Sequence, residues 1–406
     1  MADVRALVIY SIDFLTRCQV RRTIAPNERE VGGDGRAAGV TMTAARTSVS
    51  ELQELLAAGR HVTVVDVRSP ADIDWAIPGT IHVDAHDALK AGNLGPLAQL
   101  NLPPGPVVMV CGMGNTAAIA TDLLRASGVQ ASTLEGGMRA WSLAWNTAEL
   151  TVADCEVVQV RRTGKGCLSY IIASQAEAVV IDASVDPDVY VRLIAERNWR
   201  LVGVVDTHIH ADHLSRSKLL AEREGVDFWL PAQRRTRFPF QATTDGDRIP
   251  FGVAELVALL LPGHTAESTT YLLANAAAFT GDTLFRTSVG RPDLEGGNRD
   301  ELATHARLLH DSIRRLLELP VDTLILPGHV SDPIRFDGRP LATHVRTIRD
   351  SVPLMSLEQD AFVEAVLARI PPNPPNHAQI IELNERGELP DDPSELEVGA
   401  NRCAIA

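Results

Sequence analysis

The sequence is short of paired cysteines, of long apolar runs and of positive charge. Five cysteines (Cys18, Cys111, Cys155, Cys167 and Cys403) lie scattered through 406 residues with no paired spacing. That distribution excludes a disulfide framework and fits a reducing, cytoplasmic setting. No stretch approaches the roughly 20 apolar residues that a helix needs to cross a bilayer, so no membrane association is expected. The early "ALVIY" is too short to be the core of a secretory signal. The formal net charge of −14 argues against a nucleic-acid partner. No internal repeat is present.

What is there is an ordinary globular composition, 45% hydrophobic and 22% charged, with length for two domains or three. Residues 1–44 read as a leader without stable order: the part from 24 to 41 is rich in Gly, Ala and charge and has no periodicity, and Met42 directly precedes a helical pattern. An over-long start assignment would explain it; the competing reading is an extra strand or helix packed on the first domain. From Ser48 onward helices and short apolar strands alternate. "SVSELQELLAAG" has a Ser cap and a Gly end, "HVTVVDVR" is a buried strand, and strand 107–110, helix 116–126 and strand "ASTL" follow, closing on "EGGMRAW". The pattern predicts an α/β domain over 45–148, with a parallel sheet covered by helices on both faces. From Asp154 consecutive strands with short turns predict antiparallel sheet, in a β-rich sandwich flanked by helices over 154–347. Residues 348–406 hold a helix, "EQDAFVEAVLARI", then "PPNPPN", which cannot be helical, and an extended polar tail.

Two places carry chemistry. In "VCGMGNTA" a strand ends at Cys111, and Gly112, Gly114 and Ala117 give the spacing G-x-G-x-x-A. Such a turn suits a dinucleotide pyrophosphate, but here a strong strand precedes the glycine strand, against the dinucleotide pattern, so no nucleotide cofactor is expected. The same turn suits a nucleophilic cysteine: a helix N-terminus lowers a thiol pKa, and glycines let backbone N–H groups close around the sulfur. The second place is "THIHADH" (207–213), which supplies His208, His210, Asp212 and His213 directly after an apolar strand. "LPGHT" adds His264, "FTGD" adds Asp282 and "LPGH" adds His329. A lone histidine is usually a satisfied surface or core residue; five His and two Asp in this pattern are ligands for a divalent transition metal.

"THIHADH", "PGHT", "TGD" and "PGH", in that order, resemble the metallo-β-lactamase-fold superfamily. The resemblance implies an αββα sandwich with metal at the edge of its two sheets, and is specific for fold rather than reaction. "GCLSYII", "GRPDLEGG" and "PPNPPNHAQIIELN" are similar to the persulfide dioxygenases of that superfamily. That resemblance implies one Fe(II) per chain held by His208, His264 and Asp282, with His210, Asp212, His213 and His329 orienting the ligands around it. In glyoxalase-II-like thioesterases the latter positions bind a second metal, so a dinuclear zinc hydrolase is the alternative. Arg291 of "GRPDL" matches a family arginine expected to anchor an anionic thiol or to make a structural ion pair. "GHVSDP" lacks the aromatic often found after the last histidine motif.

"VVDVRSP", "IPGTIHV", "CGMGNTA" and "LEGGMRAW" together resemble a rhodanese sulfurtransferase domain. The resemblance implies that Cys111 carries a sulfane sulfur as a persulfide, that Gly112, Gly114, Asn115 and Thr116 shape the binding loop, and that Asp66 and Arg68 are structural first. Rhodanese loops often carry arginines where this chain has Gly112 and Thr116, which predicts weak turnover of dianionic thiosulfate and a preference for persulfidic donors. The joint expectation is an enzyme that oxidises a low-molecular-weight thiol persulfide with O2 and moves sulfane sulfur through Cys111. The remaining reading for the first domain is a docking or persulfide-sensing module. Assembly as a homo-oligomer is left open.

Overall fold

The computed structural model describes residues 45–373 and 376–405; the leader expectation lies outside them. The first domain is a five-stranded parallel sheet in the order Arg46–Thr47, Ala131–Leu134, Val107–Val110, Thr63–Asp66, Ile81–His82. Every position of the two central strands is buried, as a sheet covered on both faces requires. The period-2 alternation sorts them: Val65 and Met109 pack into one apolar cluster with Ala117 and Leu124, while Val64 and Val108 pack into another with Trp141. Helix Val49–Ala57 begins at the Ser48 cap, whose capping box is completed by Glu51.

The second domain stacks two sheets. A seven-stranded sheet runs from Gln241–Thr243 at one edge to Asn146–Val152 at the other, and a six-stranded sheet runs from Arg248–Phe251 to Thr343–His344. Strand Asn146–Val152 pairs along its whole length with Cys155–Arg161, which places residues 146–148, the end of the expected first domain, in the second sheet. Between the sheets lie Val157, Tyr170, Ile172 and Val205 from one side and Phe251, Leu256, Tyr271 and Phe279 from the other. The Tyr170 and Phe279 rings meet edge-on at 4.9 Å. Helices Pro187–Glu196 and Ser217–Glu224 cover the outer face of the larger sheet, and Arg299–Leu317 and Gln359–Leu367 cover that of the smaller one. The architecture is therefore the expected parallel α/β sheet followed by an αββα sandwich.

The stretch after "PPNPPN" differs from its reading as extended tail. Residues His377–Arg386 are helical, with only Ile380 fully buried, so apolar periodicity gave little sign of the helix. The chain then returns to the centre of the molecule. Glu397 is fully buried and bonds both Arg162 (Nη2 2.9 Å) and Arg216 (Nη1 2.6 Å), and it accepts the Leu214 N–H at 2.7 Å. Arg162 also donates from Nε to the Ser142 carbonyl at 2.8 Å, and Trp75 Nε1 donates to the Thr163 carbonyl at 2.9 Å. These contacts tie the first domain, the hairpin turn after strand Cys155–Arg161, the loop after "THIHADH" and the tail to one point.

Burial alone would raise the Glu397 pKa, but Arg162 and Arg216 outweigh it and hold the carboxyl well below its usual value of 4.5. A depressed folded-state pKa gives stability that is complete above the unfolded value and lost as pH falls below it. Glu397→Gln leaves two arginines without their carboxylate and is expected to cost about 3–5 kcal/mol at pH 7. Urea denaturation at pH 7 and at about pH 3 checks both points: the variant should unfold earlier at neutral pH and should lose less stability than the wild type on acidification.

Candidate metal centre and cysteine cradle

Strand Arg200–Val205 delivers the histidine loop into the space between the sheet edges. Asp182, at the end of the neighbouring strand, accepts the Thr207 N–H at 2.7 Å and the Thr207 hydroxyl at 2.9 Å. With its own hydrogen given to Asp182, Thr207 Oγ1 accepts from His208 Nδ1 at 2.9 Å. The Arg291 carbonyl likewise accepts from His264 Nδ1 at 2.8 Å. Each bond fixes the tautomer that leaves Nε2 as a lone pair. Asp282 uses Oδ1 for His329 Nδ1 at 2.5 Å, leaving Oδ2.

These three remaining atoms face one another. Asp282 Oδ2 lies 3.9 Å from His208 Nε2 and 3.6 Å from His264 Nε2. None has a hydrogen-bond partner, and all three residues are at most 2% exposed. Buried polar atoms left this way are costly unless something satisfies them. Their spacing is close to that of donors each about 2.0–2.2 Å from one ion. Burial lowers the His208 and His264 pKa values, so both imidazoles stay neutral. Burial would raise Asp282, but His329 and the two other histidines hold it well below the usual carboxylate range. The set is thus in its ligating form at neutral pH, and the residues fit a divalent metal.

The other predicted residues lie beside it in a different state. Asp212 Oδ1 bonds His213 Nδ1 at 3.0 Å, while Oδ2 accepts from Asn401 at 2.9 Å and lies 2.8 Å from His329 Nε2. Both oxygens are therefore engaged by the protein. His210 Nε2 bonds Asp182 at 3.2 Å, and its Nδ1 and the Nε2 of His213 face no partner. Cys167 joins this second group, its Sγ 3.5 Å from Asp212 Oδ2. Burial and Asp212 push that thiol up, but His213 and His329 outweigh them and bring it to about 7. Cys403 approaches Asp282 and His329 from the tail. Sequence reasoning missed Cys167, which stands inside the noticed "GCLSYII", and it had no local signal for Asn401 or Cys403.

Of the two roles expected for Arg291, the structure holds it in the structural ion pair. Its side chain is 0% exposed. Its guanidinium is occupied by Asp293 (2.7 Å), Asn373 Oδ1 (2.7 Å) and the carbonyls of Pro372 and Arg402. No donor is left for a substrate; Arg291 instead pins the tail and offers its own carbonyl to His264.

In the first domain Cys111 is 5% exposed, and its Sγ accepts the Gly114 N–H at 3.2 Å and the Ala117 N–H at 3.4 Å. Gly114, at φ +92°, turns the chain into helix Asn115–Ala126, so the sulfur sits at a helix N-terminus among backbone donors. Gly112 and Asn115 are exposed and Thr116 is buried. No side chain of the loop is cationic, and the nearby Arg139 turns away to Asp392, Ser394 and Glu395. Arg68 is spent on Asp66 and on the carbonyls of Asp72 and Trp75, all within 3.0 Å, which is a structural role.

Residues 48–144 match the model of the rhodanese-like domain, and residues 162–329 match that of the metallo-beta-lactamase superfamily. The chain carries one domain of each kind, in that order, and the second is an enzyme domain of a superfamily whose fold implies a metal. Hydroxyacylglutathione hydrolases of Cereibacter sphaeroides and Brucella ovis are 36% and 34% identical to it over 160 and 155 residues. Those alignments cover 39% and 37% of this chain but only 59% and 57% of the relatives, so the chain spans less than two thirds of their length. A metallo-beta-lactamase structure from Staphylococcus aureus is similar in fold at a TM-score of 0.52 and 24% identity, covering 60% of this chain and 74% of that one. ETHE1 from Myxococcus xanthus aligns at 27% identity and a TM-score of 0.48, covering 59% and 98%. No helix among the described residues is long and apolar enough to cross a membrane.

The cradle makes a specific demand on Gly137. It has φ +59°, and a Cβ there would lie 2.3 Å from the Cys111 carbonyl and 2.7 Å from the Gly114 nitrogen. Gly137→Ala should cost at least ~1–2 kcal/mol from the left-handed backbone alone and displace the loop. Alkylation of Cys111 followed by mass spectrometry should show an altered rate at this thiol while the metal domain binds metal normally.

Proposed function

We propose that the chain is a persulfide dioxygenase coupled to a sulfurtransferase. The second domain would carry out RSSH + O2 + H2O → RSH + SO3²⁻ + 2 H⁺ on the persulfide of a low-molecular-weight thiol. Supporting this most directly is the contrast within the histidine cluster: the His208, His264 and Asp282 atoms are all open toward one point, whereas Asp212 is bonded to His213 and Asn401. Fe(II) held by the open set would supply a centre where O2 and a persulfide sulfur meet. Thr207 and the Arg291 carbonyl hold the two imidazoles in the ligating tautomer, and His329 holds Asp282 ionised. His210, Asp212 and His213 orient this set from behind.

The first domain would exchange sulfane sulfur: RSSH + Cys111–S⁻ → RS⁻ + Cys111–SSH, with sulfite as a further acceptor. The Gly114 and Ala117 N–H groups stabilise the thiolate and then the persulfide anion. A loop without cations offers nothing to a second negative charge, so persulfides are better donors here than thiosulfate. The four cysteines among the described residues are all free thiols, in keeping with a reducing cytoplasm.

The second reading is a dinuclear, glyoxalase-II-like thioesterase. The names of the curated relatives favour it, as do the unpartnered His210 Nδ1 and His213 Nε2. It requires Asp212 to exchange its present bonds for a metal.

Oxygen uptake with glutathione persulfide separates the two. The iron-loaded protein should consume O2 and release sulfite, and His264→Ala should lower the rate by at least about 10²-fold. Hydrolysis of a hydroxyacylglutathione thioester without O2 uptake would establish the alternative.

A further inference from the structure

A cation stands beside the Cys111 cradle, and the tail has taken it. The first turn of helix Gly137–Trp141 is bonded straight to the cradle loop: the Met138 N–H donates to the Cys111 carbonyl at 2.9 Å, and the Arg139 N–H to the Gly112 carbonyl at 3.0 Å. The Arg139 side chain therefore leaves the backbone next to a loop that has no cationic side chain of its own. Its guanidinium serves the tail instead. Nε donates to Ser394 Oγ at 3.1 Å, and Nη2 is shared by Asp392 and Glu395, the latter at 3.1 Å. The two acids are 55% and 67% exposed in their side chains, and ion pairs of such exposed groups are weak and readily exchanged. The backbone that carries them is fixed. Asn376 donates to the Glu395 and Leu396 carbonyls, and Glu397 is buried between Arg162 and Arg216. The acids stay where they are; what can move is the arginine side chain.

We propose that Arg139 is a cation withheld from the cradle, and that Asp392, Ser394 and Glu395, by withholding it, make the cradle select persulfides over dianionic sulfur donors such as thiosulfate. The proposal rests on the sulfur-transfer reading of Cys111. Loading from thiosulfate is S2O3²⁻ + Cys111–S⁻ → SO3²⁻ + Cys111–SS⁻. The bond between the sulfane and sulfonate sulfurs breaks, the bond from the sulfane sulfur to Sγ forms, and sulfite leaves with the electron pair. This donor meets the thiolate with two negative charges at its reacting end, whereas a persulfide brings one. The Gly114 and Ala117 N–H groups are already directed at Sγ, so the sulfonate oxygens need another donor. A guanidinium, with its planar fork of N–H groups, matches such oxygens. Held by the tail, Arg139 offers them nothing, and the two carboxylates around it leave that side of the cradle with an excess of negative charge. Specificity is then set by what the fold keeps away from the sulfur as much as by what it brings there.

The test uses the full chain and follows the loading of Cys111 with sulfane sulfur by peptide mass spectrometry, from thiosulfate and from 2-mercaptoethanol persulfide, whose one charge lies on sulfur. In Asp392→Asn/Glu395→Gln the freed guanidinium should raise the loading rate from thiosulfate about tenfold and leave that from the persulfide within about twofold, as one charge-assisted hydrogen bond implies. Adding Arg139→Gln should remove the gain, and Arg139→Lys should keep only part of it, because an ammonium lacks the fork. A gain that survives Arg139→Gln would be a general effect of two lost carboxylates and would overturn the proposal, as would an unchanged donor preference. Arg139→Gln in the otherwise native chain adds a check: a loss of thiosulfate loading of about tenfold would show a cation already at work in the cradle and would contradict its being withheld. Alkylation of Cys111 by iodoacetate relative to iodoacetamide reads the charge at the sulfur without any sulfur transfer. A rise in that ratio that depends on Arg139, in a chain that loads no sulfur, would sink the transfer reading and keep the withheld cation; sulfur loading with ratio and donor preference unmoved would do the reverse.

Discussion

A single buried carboxylate organises this molecule. Glu397 lies far along the chain from everything it touches, and its burial is tolerable only because two guanidiniums and a backbone N–H meet it. Arg162 comes from the hairpin turn between strands Cys155–Arg161 and Leu168–Ser174 of the second domain, and it reaches across to the Ser142 carbonyl of the first. Arg216 and Leu214 come from the loop that presents the histidines. Removing either arginine or the carboxylate leaves a charge in the interior, so the tail, the hairpin turn at Arg162 and the metal loop stand or fall together.

The metal centre depends on that arrangement. Once Glu397 has fixed the tail, Asn401 reaches Asp212 and Cys403 comes up to Asp282 and His329. Arg291 bonds the tail's Arg402 carbonyl and turns its own carbonyl to His264. Each ligand's second atom is already used, by the adjacent Thr207 for His208 and by Arg291 and His329, distant in sequence, for His264 and Asp282. The sulfur cradle of Cys111 is built by a different device, backbone N–H groups and a helix start in a loop held by Gly137. The tail also contacts this domain, where Asp392 and Glu395 take the Arg139 side chain.

The legible parts of the sequence were those with local cause. The Ser48 cap, the fully apolar central strands and the motif order of the histidines each carry their structural reason within a few residues, and so do the cradle glycines. The reading failed where the cause is remote. Nothing near Arg291 shows that Asn373 and two carbonyls join Asp293 in consuming its donors, because those three partners lie 81 to 111 residues away. Helix His377–Arg386 buries one apolar side chain and so lacks a period to read. Cys167 was visible as part of a motif, but its role beside Asp212, His213 and His329 exists only after the two sheets close.

One metal, not two, is the occupancy proposed for the histidine cluster. Its most direct measurement is metal content after anaerobic reconstitution with excess Fe(II) and, separately, Zn(II), followed by desalting. The open set of His208, His264 and Asp282 predicts one tightly held iron per chain, lost in Asp282→Ala and retained in Asp212→Asn. Two ions per chain, with both lost when Asp212 is changed, would contradict it.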